Sequence, residues 1–316
     1  MTVYEVHGLA ISVDLDLPSC AIATNGTVDL DVQVQEPATV PREIPDGRLL
    51  LSTWGPTGHK SYVGTQEDDG GYRLRLPEAF EATISADLRL VECRLDPAVD
   101  QALLSVLVPG ILASFILRLQ GHSVLHASAV DWNDRAIVFV GQSGMGKSTV
   151  AALACDAGAR LLSDDVLRVD ATADAVTAFR GTLHLRLRNA PQELGLTALG
   201  QAGTSADGRA VVAPPMAPRT LPVGVLVIPV PDRSITAPIM DPLNPRDAMT
   251  VIREFDHLPG WDDSAVLAHQ FETFAHLVHQ TPAVVLRVPW GLPFAPHVGA
   301  EILAQLSTLT DHASTA

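Results

Sequence analysis

Gly141-Gln142-Ser143-Gly144-Met145-Gly146-Lys147-Ser148 is the stretch on which the fold turns. Its spacing, G-x-x-x-x-G-K-S, is that of a phosphate-binding loop. Just upstream, Ala136-Ile137-Val138-Phe139-Val140 is an unbroken apolar run of strand length, and downstream Ser148 to Ala157 reads as a helix. Between strand and helix the glycines let the backbone N–H groups of Gly144, Met145 and Gly146 approach an anion, and the helix N-terminus adds a favourable dipole. The expected ligand is a nucleoside triphosphate, ATP, contacted by Gly141, Ser143, Gly144, Met145, Gly146, Lys147, Ser148 and Thr149.

Lysine usage supports this reading. The chain has two lysines, Lys60 and Lys147, against nineteen arginines. Where a generic cation suffices it uses arginine, so a lysine in the loop answers a demand for a compact charge that reaches the β- and γ-phosphates. Ser148 is placed to set its hydroxyl on Mg²⁺, and a second metal ligand is then needed from an acid at the end of a neighbouring strand. Asp164-Asp165, directly after Leu161-Leu162-Ser163, fits that need. Adjacent side chains on a strand end face opposite ways, so the two carboxylates can take different tasks. We assign Asp164 to the metal and Asp165 to the general base, with the reverse order open.

Working outward, Tyr4 to Leu95 favours strands: Val28 to Val34 and Tyr72 to Leu76 alternate apolar and polar residues, and Glu67 to Gly71 reads as a hairpin connection. Asp96-Pro97 resembles a helix start, opening an apolar helix to Gln120. We therefore expect a β-rich domain over 1–95 and an α/β domain over 96–316, with 96–120 as an apolar junction helix. Later in the chain, Leu183 to Leu187, Leu221 to Val230 and Pro282 to Pro289 read as strands, Ser264 to His279 and Val298 to Leu309 as helices, and Ala202 to Arg219 as a loop.

Composition sets further bounds. With 316 residues, 47% of them hydrophobic, core size is not limiting. A net charge of -15 repels a phosphate backbone, so nucleic acid is not an expected partner and an anionic ligand must be attracted locally. Cys20, Cys93 and Cys155 form no metal-binding spacing. Met1 to Pro18 lacks the basic start and apolar core of a secretory signal, which leads us to expect a cytoplasmic protein. The uncharged run Ala102 to Leu117 reaches roughly 24 Å as a helix, short of a hydrocarbon core of about 30 Å. Pro109-Gly110 interrupts it, so we expect a buried helix and no membrane span.

Leu125-His126-Ala127-Ser128-Ala129, the loop Gly141 to Ser148, and Leu161 to Asp165 together resemble the HPr kinase/phosphorylase family. The likeness covers Leu125 to Val169. It implies a P-loop kinase domain related to phosphoenolpyruvate carboxykinase, ATP-dependent phosphorylation of a hydroxyl, and a catalytic set of His126, Lys147 and Asp165. His126 matches the family's histidine before the loop, with a role either at the γ-phosphate or in orienting Asp165. Gln142 and Thr149 stand where HPr kinases usually carry acids, and only Arg180-Gly181 remains of their downstream signature. Those departures point away from HPr itself and from the reverse reaction. The overall layout is similar to the HPr kinase-like proteins associated with lasso peptides, which implies a precursor-peptide serine as acceptor. The ring-forming HPr-modifying members also imply a homo-oligomer. A small-metabolite kinase, for an amino acid or sugar, and a nucleotide-gated peptide-binding protein without transfer are the alternatives. Arg186, Arg188 and Arg209 are candidates for stabilising transferred charge, and Arg253 with Phe255 to Asp263 for an acceptor groove.

Overall fold

The computed structural model describes residues 1–24, 26–54 and 60–312. The chain divides into two compact units, one of Met1–His122 with Leu258–Gln270 and the other of Ser123–His257 with Phe271–Ala316.

The first unit is built on nine strands: β1 (Thr2–Val6), β2 (Leu9–Val13), β3 (Ala21–Ile22), β4 (Leu30–Val34), β5 (Arg48–Trp54), β6 (Lys60–Gln66), β7 (Tyr72–Leu76), β8 (Phe80–Ile84) and β9 (Leu90–Leu95). They form one sheet in the order β3-β1-β2-β4-β9-β8-β7-β6-β5. β7 has the bounds its alternation predicts, and Glu67 to Gly71 joins it to β6 as a hairpin that pairs Gln66 with Tyr72.

A helical passage follows: a 3₁₀ turn Gln101–Leu103, α1 (Leu104–Leu107), a π turn Val108–Leu112 and α2 (Ala113–Leu119). Its start differs from the expected Asp96-Pro97. The Asp96 carboxylate instead accepts from the Val40 and Ala98 backbone N–H groups, each at 3.0 Å, which bends the chain. Asp100 then caps the turn by accepting from Ala102 N at 2.9 Å. Gly110, at φ -90° and ψ -105°, breaks the helix inside the π turn. The carbonyl of Pro109 accepts from the buried His7 Nε2 at 3.0 Å.

By length and composition alone Gln101–Leu119 suffices to cross a membrane. Here Leu112 to Leu117 are wholly buried, and Phe115 lies so close to Gly64 that a Cβ there would come within 2.6 Å of its ring. Trp261 stacks on Phe115 at 5.5 Å. The helix packs as a core element of the first unit, which puts the division of the chain at His122 rather than Leu95.

The second unit holds β10 (Ser123–Trp132), β11 (Arg135–Val140), α3 (Lys147–Asp156), β12 (Arg160–Ser163), β13 (Val166–Ala171), β14 (Val176–Phe179), β15 (Leu185–Leu187), α4 (Pro191–Leu194), β16 (Gln201–Thr204), β17 (Ala210–Val212), β18 (Thr220–Asp232), β19 (Ile239–Leu243), α5 (Pro245–Ile252), β20 (Ala283–Pro289) and α7 (Val298–His312). α6 (Ser264–Gln280) enters it from Phe271. The main sheet runs β11-β10-β13-β14-β18-β20-β19, with β12 on β10. β11 and β20 both pair with β18 in parallel.

The sequence of β11 shows why the sheet is covered on both faces. Ile137 and Phe139 enter a core with Val150 and Leu153 of α3 and Ile302 and Leu306 of α7. Ala136, Val138 and Val140 enter the opposite core, with Ile252 of α5 and Phe274 and Leu277 of α6. A strand buried on both faces reads as a continuous apolar run, as this one does. The result is a mixed α/β unit. β15, β17 and β16 form a separate three-stranded sheet, whose Leu185, Leu187 and Val212 pack into the core shared by α3 and α7. β16 and β17 fall in Ala202 to Arg219, expected as a loop; they are too short, and β16 too exposed, for alternation to mark them.

Candidate active site

β11 ends at Val140 and α3 begins at Lys147, so the glycine-rich octapeptide is the turn between a buried strand and a helix N-terminus. Gly144 and Gly146 lie at φ +92° and +88°, left-handed values that disfavour any side chain. At Gly146 a Cβ would also stand 2.6 Å from the Trp290 ring. Trp290 is held in turn by an edge-on contact with Phe294 at 5.1 Å. The loop closes on itself: Lys147 Nζ donates to the Gln142 carbonyl at 3.0 Å, and Gln142 N donates to Met145 Sδ at 3.1 Å. Gly141 is buried, Ser143 is exposed, and Thr149 sits half-buried in the first turn of α3.

Lys147 is itself buried, and that burial pulls its pKa down to about 8, against the opposing pull of Asp165 and Asp164. Its Nζ lies 3.1 Å from His126 Nε2 on β10. The same ring nitrogen is 3.2 Å from Asp165 Oδ1. One imidazole nitrogen either accepts from the lysine or donates to the carboxylate, so His126 couples the two as alternatives.

Asp164-Asp165 occupies the break between β12 and β13, both antiparallel partners of β10. Asp165 takes φ +72°, a left-handed value that Asp tolerates better than most residues. This kink separates the two carboxylates. Asp164, 2% exposed, accepts at Oδ1 from Ser148 Oγ at 2.8 Å and Ser128 Oγ at 2.6 Å, and at Oδ2 from Arg186 N at 3.1 Å. Asp165 faces the other way, towards His126, and accepts at Oδ2 from Arg186 Nη2 at 2.7 Å. Burial works to raise the pKa of Asp165. The His126 hydrogen bond and the Arg186 guanidinium outweigh it and hold the carboxyl well below the usual carboxylate range.

β15 carries Arg186, whose Nη1 reaches Asp207 Oδ2 at 3.1 Å; Arg209 Nε binds the same oxygen at 3.2 Å. Asp207 and Arg209 belong to the turn joining β16 to β17, in the stretch expected as a loop. Arg188, one residue beyond β15, places Nη1 and Nη2 each 3.8 Å from where a Cβ on Gly144 would stand. Arg253 is exposed in the turn Arg253–Phe255, and its side chain has no hydrogen bond or ion pair among the described residues.

His257 stands beside His126 and Asp165, a neighbour that no motif in the sequence marks. Asp256 bridges to Leu125, and His257 N donates to the Val124 carbonyl at 3.2 Å, which ties this segment along the strand that carries His126. The two imidazoles meet edge-on at 5.9 Å. His257 Nδ1 is buried without a hydrogen-bond partner among the described residues, and burial pushes the ring's pKa down to about 4, with Asp165 opposing and His126, Lys147 and Arg186 adding to the fall. Only the suggestion of a groove over Phe255 to Asp263 came near it, because nothing in local spacing joins residue 257 to residue 126.

No protein-family model matches the chain, and no curated protein does. Among solved structures it is similar to the HPr(Ser) kinase/phosphatase from Coxiella burnetii, at 12% identity and a TM-score of 0.32, over 60% of this chain and 98% of that one.

Proposed function

We propose that the protein is an ATP-dependent kinase that transfers the γ-phosphoryl group to a hydroxyl, with a serine of a precursor peptide as the acceptor. The observation that carries this reading is the split of the acidic pair, Asp164 on the Ser148 hydroxyl at 2.8 Å and Asp165 turned to His126 and Arg186. A loop that only bound nucleotide would need no second, ionised carboxylate beside it.

The oxygen donors Ser148 and Asp164 suit Mg²⁺, which takes one or two protein ligands and otherwise phosphate and water. Bound there, the metal would neutralise charge on the β- and γ-oxygens. Lys147 and the loop amides hold the phosphates and keep the terminal one in line with the acceptor. Asp165, ionised at neutral pH and a weak base, accepts the hydrogen bond of the attacking hydroxyl and takes its proton late, as the new O–P bond completes and the bond to the bridging oxygen breaks, releasing ADP. His126, donating from Nε2, keeps Asp165 oriented.

Incubation with γ-labelled ATP, Mg²⁺ and a panel of serine peptides, free amino acids and sugars tests the assignment. Label on the peptides supports the reading in full. Label on a small metabolite alone retains the kinase and replaces its acceptor; label released only as inorganic phosphate refutes transfer.

A further inference from the structure

We infer that Arg188 is the arginine that grips the terminal phosphate of the bound nucleotide, an inference that rests on the phosphate-loop reading above. Arginines near charged groups in this chain are mostly spoken for. Arg186 bridges Asp165 and Asp207, Arg209 also takes Asp207, and Arg168 pairs with Asp170. Arg188 is exposed and makes no hydrogen bond or ion pair among the described residues, although the chain carries a net charge of -15. Glu193 is close in sequence, but its carboxylate is taken by Asn189 Nδ2 at 3.1 Å.

An unpaired arginine on a surface is ordinary; its position here is not. Both terminal nitrogens stand 3.8 Å from the Cβ position of Gly144. Equal distances, with Nη1 and Nη2 the only guanidinium atoms within 4 Å, turn the two-pronged end of the group towards the loop. Gly144 has no side chain and takes φ +92°, so the space above it is left to the guanidinium. The fork donates two parallel hydrogen bonds to adjacent oxygens, a geometry that matches phosphate and that lysine lacks. Arg186, two residues earlier on β15, reaches Asp165. The same stretch therefore delivers one cation to the proposed base and a second to the loop. That places Arg188 on the side of the loop where the terminal phosphate meets the acceptor, and where charge builds on the γ-oxygens during transfer.

Calorimetric titration of ATP and of ADP into the wild-type protein, Arg188→Ala, Arg188→Lys and the exposed control Arg233→Ala tests this. Arg188→Ala is expected to weaken ATP about tenfold to a hundredfold while leaving ADP within about twofold, since a charge-assisted pair to one phosphate is lost. Arg188→Lys is expected to recover only part of the loss, and Arg233→Ala to match the wild type. Equal effects of Arg188→Ala on both nucleotides, or no effect on either, overturn the inference while the loop reading stands. Wild-type protein that binds neither nucleotide overturns both. Unchanged thermal unfolding of Arg188→Ala will show that the losses are not losses of fold.

Discussion

Asp164 is held by three donors, Ser148 Oγ, Ser128 Oγ and the Arg186 backbone N–H, at 2% exposure. Removing the carboxylate strands all three, and an unsatisfied buried donor costs more than its hydrogen bond was worth. Asp164→Ala is therefore expected to lose about 2–4 kcal/mol of stability in urea unfolding, and Asp164→Asn, which keeps the shape and one carbonyl oxygen, clearly less. His257 gives a pH prediction. Its pKa lies near 4 in the fold, below its ordinary value of 6.5. Between those values the unfolded chain takes up a proton that the folded ring refuses, so this residue makes stability fall as pH drops from about 6.5 to 4. The penalty is at most about 3–4 kcal/mol. Urea unfolding at both ends of that window should show a shallower acid loss for His257→Gln than for the wild type; identical slopes would remove the assignment.

Among the elements, the loop and its flanks were the most legible. β11 is an apolar run because both its faces are buried, and α3 follows a glycine turn that no other residue type fits so well. Gly146 carries two constraints at once, the φ of +88° and the Trp290 ring at 2.6 Å from its Cβ position. Gly146→Ala is expected to destabilise by more than about 2 kcal/mol, the left-handed backbone alone costing about 1–2. In a double-mutant cycle with Trp290→Ala the two losses should sum to less than expected for independent sites, because the second change removes the clash. Strict additivity would mean that the indole does not crowd the loop. What sequence did not disclose is equally physical. The helix began at Asp100 because Asp96 was engaged by Val40, far away in the chain. β16 and β17 are four and three residues long, below what alternation can signal. His257 reaches the site through pairing with β10, which no local pattern announces.

For the whole molecule, the strongly negative charge of -15 coexists with a loop bordered by Lys147, Arg186, Arg188 and Arg209. These cations are gathered locally, from three stretches of chain that the second unit folds together. The apolar run read as a junction is a buried helix of the first unit. The central claim is that the loop and the acidic pair form one phosphotransfer site. Its most direct measurement compares Asp165→Asn with the wild type for ATP affinity and for phosphate transfer to the acceptor that the labelling panel finds. Asn accepts the left-handed backbone at this position, so the variant removes the charge without straining the fold. ATP affinity within a few-fold of wild type, with transfer reduced by about a hundredfold or more, is the expected result. Transfer at the wild-type rate would contradict the account.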